Sequence, residues 1–140
     1  LEHTPDGPLR ERLLEVGDRI TRGVEECWEV AQKGQVLTDA RRAVDIDAVR
    51  RTLETAEDGP RRTSAQARLE SHDRLAAREE ATRERLDVLD ARLEEAVVRA
   101  AELGTRSSTT DELDVVADAV DGIVGDLESL RLALDDVSDA

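Results

Sequence analysis

The chain has one tryptophan, no tyrosine, no phenylalanine and no methionine among its 140 residues. Aromatic surface dominates most ligand pockets and strand-built cores, so a small-molecule site and a β-rich fold are both disfavoured. Cysteine occurs once, at Cys27. No intrachain disulfide can form, and a reducing, cytoplasmic setting is expected. Proline occurs three times and glycine eight times, too rarely to break the chain into many short elements. No stretch approaches the ~20 apolar residues of a membrane span, and no signal peptide opens the sequence. Lys33 is the only lysine, the other basic residues being arginine, a bias that suits a GC-rich genome.

Acidic charge is in surplus. Thirty-four carboxylates against twenty basic groups leave a net charge of −14. A phosphate backbone would be repelled, which argues against nucleic acid as a partner, and an anionic membrane surface is disfavoured for the same reason. A basic partner fits better. The acidity also suits a protein from a high-salt habitat, where self-repulsion is screened. Its melting temperature is then expected to rise between dilute buffer and molar sodium chloride; a flat or falling dependence would remove the charge argument. Residues 107–140 carry ten acidic groups and one basic group, so most of the surplus lies there.

Charged and hydrophobic residues each make up 39% of the chain, the balance of an extended helical protein rather than a disordered one. The opening "LEHTPDG" lacks a methionine and reads as a flexible tail over 1–7 of an excised or processed piece, its first three residues a vector scar. The spacing predicts four helices, over about 8–33, 45–57, 62–103 and 110–137. In the first, Asp6 or Gly7 caps and Pro8 takes the first helical position. Leu13, Val16, Ile20, Val24, Cys27 and Val30 share one face, and Gly34 ends it. "TDARRAV" bridges to a second helix capped by Asp45 or Asp47, with Ile46, Val49, Leu53 and Ala56 as its apolar side. Gly59-Pro60 breaks the chain, and Thr63 with Gln66 spaces a capping box for the third helix. That helix carries Leu86, Leu89, Leu93, Ala96, Ala100 and Leu103 in heptad register, with Gly104 at its end.

Thr109 and Glu112 repeat the capping spacing ahead of "DELDVVADAVDGIVGDLESLRLALDDV". There Leu113, Val116, Val120, Ile123, Leu127, Leu130, Leu134 and Val137 alternate steps of three and four. Gly122 and Gly125 fall outside that seam. The expected architecture is all-α without strands: a single elongated antiparallel helical bundle, or coiled-coil hairpin, over 8–140. The fourth helix folds back onto the first and third, turning its carboxylates outward.

No catalytic constellation is legible. His72, in "LESHDRL", stands two residues from Glu70 and beside Asp73, not at the three- or four-residue spacing of a helical metal site; no metal or cofactor is expected. Cys27 sits at a core position flanked by Glu25, Glu26 and Glu29, which disfavour a thiolate nucleophile. Trp28 lies beside the seam. It either covers the join between the first two helices or anchors a partner, since tryptophan is enriched among interface hot spots. Partner contacts are therefore expected at Trp28 and at the outward carboxylates Asp114, Asp118, Asp121 and Glu128. The functional expectation is a cytoplasmic, non-catalytic interaction or scaffold module, binding itself or another protein. The alternatives are an acidic regulator that sheathes a basic partner, and the soluble coiled coil of a membrane-tethered parent.

Overall fold

A computed structural model of the protein describes residues 7–106 and 109–138, with side chains to Asp136. Among the described residues there are four helices and no strand: α1 (Gly7–Arg42), α2 (Ile46–Thr55), α3 (Pro60–Thr105) and α4 (Thr110–Ser138). The tail over 1–6, including His3, lies outside them. Two compact units form. One holds α1 up to Ala31, α3 from Arg85 onward, and α4; the other holds Gln32–Glu84.

In the first unit α4 buries its seam as its spacing predicts. Leu113, Val120 and Leu127 are fully buried, Val116 and Leu134 nearly so, and Leu130 half so. The side chain of Val137 lies outside the described set. The helix starts as expected: the Thr109 hydroxyl accepts from the Glu112 N–H at 3.2 Å. The Glu112 carboxylate does not close the box but pairs with Arg106 at 3.0 Å. On α3, Leu89, Leu93, Ala96 and Leu103 are buried against this seam. On α1 the register departs from expectation by one residue. Val24 is 55% exposed, and Gly23 takes its place in the core, where an added Cβ would meet Leu93 at 3.0 Å and Val124 at 3.6 Å. The missing side chain leaves room for Leu93, which any larger residue here would press aside.

The second unit corrects two helix boundaries. Gly34 does not stop α1, which runs on through "TDARR" to Arg42. A mid-helix glycine costs ~1 kcal/mol relative to alanine. Burial of Leu37 and Thr38 outweighs that cost. Asp45 then caps α2, accepting from the Ala48 N–H at 3.1 Å. Helix α3 begins earlier than Thr63: Gly59, at φ +150°, turns the chain, and Pro60 occupies the first helical position. Thr63 is left inside the helix, its hydroxyl donating to the Gly59 carbonyl at 3.1 Å. Gln66 donates to Glu70 at 3.3 Å instead of capping.

The register of α1 on α3 in this unit is fixed by a buried carboxylate. Glu79 accepts from the Thr38 hydroxyl at 2.8 Å and from Arg41 at 2.5 Å, with Arg83 at 3.2 Å. The Arg41 and Thr38 hydrogen bonds hold its pKa below the ordinary glutamate range, against the opposing effect of burial. A carboxylate with a lowered folded-state pKa stabilises the fold above its unfolded pKa, and that contribution is lost as the pH falls through the folded value. Wild type is therefore expected to be more stable than Glu79→Gln at pH 7. The gap should start to narrow below pH ~4.3 and close in stronger acid. Urea titrations of both proteins across that range check it; a gap independent of pH would contradict the cluster.

Gly122 and Gly125 are exposed on α4, and a Cβ at either would meet no atom within 4 Å. Gly122→Ala and Gly125→Ala should each stabilise the helix by about 0.5–1 kcal/mol. Thermal melts would read this as a rise of a few degrees; a fall would mean that these backbones are already covered.

Candidate protein-interaction surface

The carboxylates of α4 meet α1 of the same chain. Arg12 reaches Asp114 at 2.7 Å, Arg19 reaches Asp121 at 3.4 Å and Arg22 reaches Glu128 at 2.5 Å. The polarity then reverses, with Arg131 of α4 pairing with Glu26 at 2.9 Å. Partners ascend together along both helices, so α1 and α4 run parallel. Arg12, Arg19 and Glu26 are spaced by seven, as are Asp114, Asp121 and Glu128, which keeps both rows on facing edges. Each pair is partly exposed and worth at most ~1 kcal/mol. Their effect is on register and on which charges remain outward. Of the four carboxylates expected to face a partner, Asp114, Asp121 and Glu128 are engaged by α1. Asp118 is exposed and makes no ion pair among the described residues.

Trp28 is 65% exposed. It covers no join, because α1 is continuous through it. With Leu14, Gly17, Thr21, Val24 and Ala31 it forms an exposed, uncharged ridge at alternating three- and four-residue spacing. Beside it runs a shallow groove between α1 and α3, lined by Val24, Cys27, Trp28, Ala31, Leu86, Asp87 and Asp90. Asp18 and Glu25 lie one turn from ridge residues on α1 itself. The ridge is apolar along its crest and acidic on both sides. It is a second α1 heptad, offset by one residue from the buried one, and its signal in the sequence was the absence of charge at 14, 17, 21, 24, 28 and 31.

Charge of the opposite sign gathers elsewhere in this unit. Arg85, Arg92 and Arg99 on α3 and Arg106 just past its end recur every seven residues. The outer two reach α4, Arg85 to Asp126 at 3.3 Å and Arg106 to Glu112 at 3.0 Å. Arg92 and Arg99 instead line an open groove with Glu95, Val115, Val116, Ala119, Gly122 and Ile123; Asp126 stands at one end of it, and Glu112 borders the adjoining hollow beside Arg99. Neither arginine makes an ion pair among the described residues.

The remaining candidates from the sequence are Cys27 and His72. Cys27 is half-buried, and burial first, then Asp90 and Glu26, pushes its thiol pKa above the ordinary value, away from a reactive thiolate. His72 is half-buried rather than exposed, with Nδ1 3.3 Å from Asp73. Among the described residues no three His, Cys, Asp or Glu side chains are placed to hold a metal ion. None of their helices is long and apolar enough to cross a membrane. No family model, no curated protein and no solved structure matches the chain.

Proposed function

We propose that the chain is a non-catalytic helical interaction module whose contact surface is the uncharged ridge of α1 centred on Trp28. The observation that carries this reading is the placement of the only aromatic residue: Trp28 stands 65% exposed on a surface-facing heptad, where its own fold has no use for it. A half-buried tryptophan would be explained by packing; an exposed one on an apolar crest is the composition of an interface core. The alternative of an acidic sheath for a basic partner is less favoured, since α1 already engages three of the outward carboxylates of α4.

A photo-crosslinking residue placed at position 28 tests the proposal in cells of the source organism. A protein crosslinked at 28, of any identity including the chain itself, and absent when the same residue replaces Asp118, is the expected result. No crosslinked protein at 28 would overturn it.

A further inference from the structure

The acidic-flanked ridge and the arginine-lined groove lie on different faces of one unit. We propose that they bind each other between copies of this chain: the α1 ridge of one molecule enters the α3/α4 groove of the next, so that the protein assembles head to tail. This rests on the reading of the ridge as an interaction surface and names its partner.

Three features support a second copy as the occupant. The first is charge. Arg85 and Arg106 are paired with Asp126 and Glu112, whereas Arg92 and Arg99 share the groove with Glu95 but make no ion pair with it or with any other described residue. Asp18 and Glu25, which flank the ridge, make no ion pair among the described residues. The second is spacing. Both pairs are seven residues apart on helices, so each spans a rise of about 10.5 Å, and the two can pair in one register. The third is shape. The groove is walled by Val115, which is 63% exposed, and opens over Ala119 and Gly122, where no atom stands within 4 Å of a glycine Cβ. That opening leaves a small-residue floor on which the apolar crest at Trp28 and Val24 can rest.

The contact cannot form within one chain. The buried face of α1, with Val16, Gly23 and Val30, is turned to α3 and α4, so its ridge points away from the groove. Two ridges paired with each other would bring only acidic flanks together, Asp18, Glu25, Asp87 and Asp90 of both copies, with no arginine to offset them. Ridge-in-groove contact is heterologous, and such contacts repeat into rings or open filaments. A net charge of −14 opposes assembly at low ionic strength.

Sedimentation velocity at about 0.15 M salt, where the Debye length is about 8 Å, tests this with the full chain. Wild type is expected to form species larger than a dimer that grow with concentration. Trp28→Glu, with a blocked ridge, and Arg92→Glu/Arg99→Glu, with a blocked groove, should each remain monomeric with unchanged helical content. An equimolar mixture of the two should give a one-to-one dimer and nothing larger, because one intact ridge and one intact groove remain. Gly122→Leu fills the groove without changing charge. It should abolish assembly while raising the melting temperature of the monomer, a pairing that a purely structural role for the glycine would not produce. A wild type that is monomeric at all concentrations, one that stops at a dimer, variants that assemble normally, or a mixture that stays monomeric would each overturn the proposal. The ridge would still be an interaction surface if position 28 crosslinks to a different protein.

Discussion

Leu127→Asp is expected to remove about 4 kcal/mol or more from the stability of the chain. Leu127 has no exposed surface and belongs to the buried seam that α4 presents from Leu113 to Leu134. The substitution loses the transfer energy of the leucine and places a carboxylate where nothing can pair with it. The guanidiniums of Arg131, one turn along α4, and of Arg22 on α1 are already engaged by Glu26 and Glu128. An aspartate at 127 must therefore stay protonated, at a cost near neutral pH, or open the bundle to water. Leu132→Asp is the control on the same helix: Leu132 is exposed, and its replacement should change stability by no more than about 0.5 kcal/mol. Urea denaturation of the three proteins decides it. A loss below about 1 kcal/mol for Leu127→Asp would mean that α4 is not packed where the structure places it.

Ending the chain after Gly104 should have a still larger effect on the first unit. That unit is α1 to Ala31, α3 from Arg85, and α4, and α4 supplies Leu113, Val116, Ala117, Val120, Ile123, Val124, Leu127 and Leu134 to its core. Without them Val16, Leu89 and Leu93 lose their cover. Two helices joined only along one seam are marginal in water. The circular dichroism signal should fall by more than the 29 residues of α4 account for, with loss of a cooperative melt or with aggregation. A truncated chain that melts cooperatively with all its remaining helix would show that α4 is an accessory and not part of the core.

Much of this arrangement is legible in the amino-acid order, and the exceptions have physical causes. The α4 seam is plain because leucine, valine and isoleucine occupy both seam positions of each heptad; from Leu113 to Leu134 all of them are buried but the half-buried Leu130, and Ala117 and Val124 widen the buried face. On α1 two adjacent heptads compete, and counting apolar side chains favours Val24. Packing favours Gly23, because close approach to Leu93 rewards the missing side chain, which no hydrophobicity scale can register. Gly34 illustrates the same point in reverse. Its helix-breaking cost is small beside the burial of Leu37 and the Glu79 cluster, contacts made only with residues some forty positions away. Pro60 reads in the sequence only as a break, yet it opens α3, and it wins over the Thr63 capping pattern because its φ is fixed while a side-chain cap is optional. The surface is harder to read. The arginine row at 85, 92, 99 and 106 is regular in the sequence, yet its meaning depends on which α4 residues face it. The pairing of α4 carboxylates with Arg12, Arg19 and Arg22 depends on two helices a hundred residues apart running parallel, which local spacing cannot encode.

That pairing decides which surface is left for a partner, and it can be measured. Spin labels at Arg19→Cys and Asp121→Cys, in a Cys27→Ala background, report the separation of the two edges by electron paramagnetic resonance. Parallel packing within one chain predicts a single short distance, about the 8–10 Å interaxial separation plus the label arms. It should be unchanged when labelled protein is diluted into a large excess of unlabelled chain. A long or broad distance, or a short one that disappears on dilution, would show that α4 pairs elsewhere and would contradict the account.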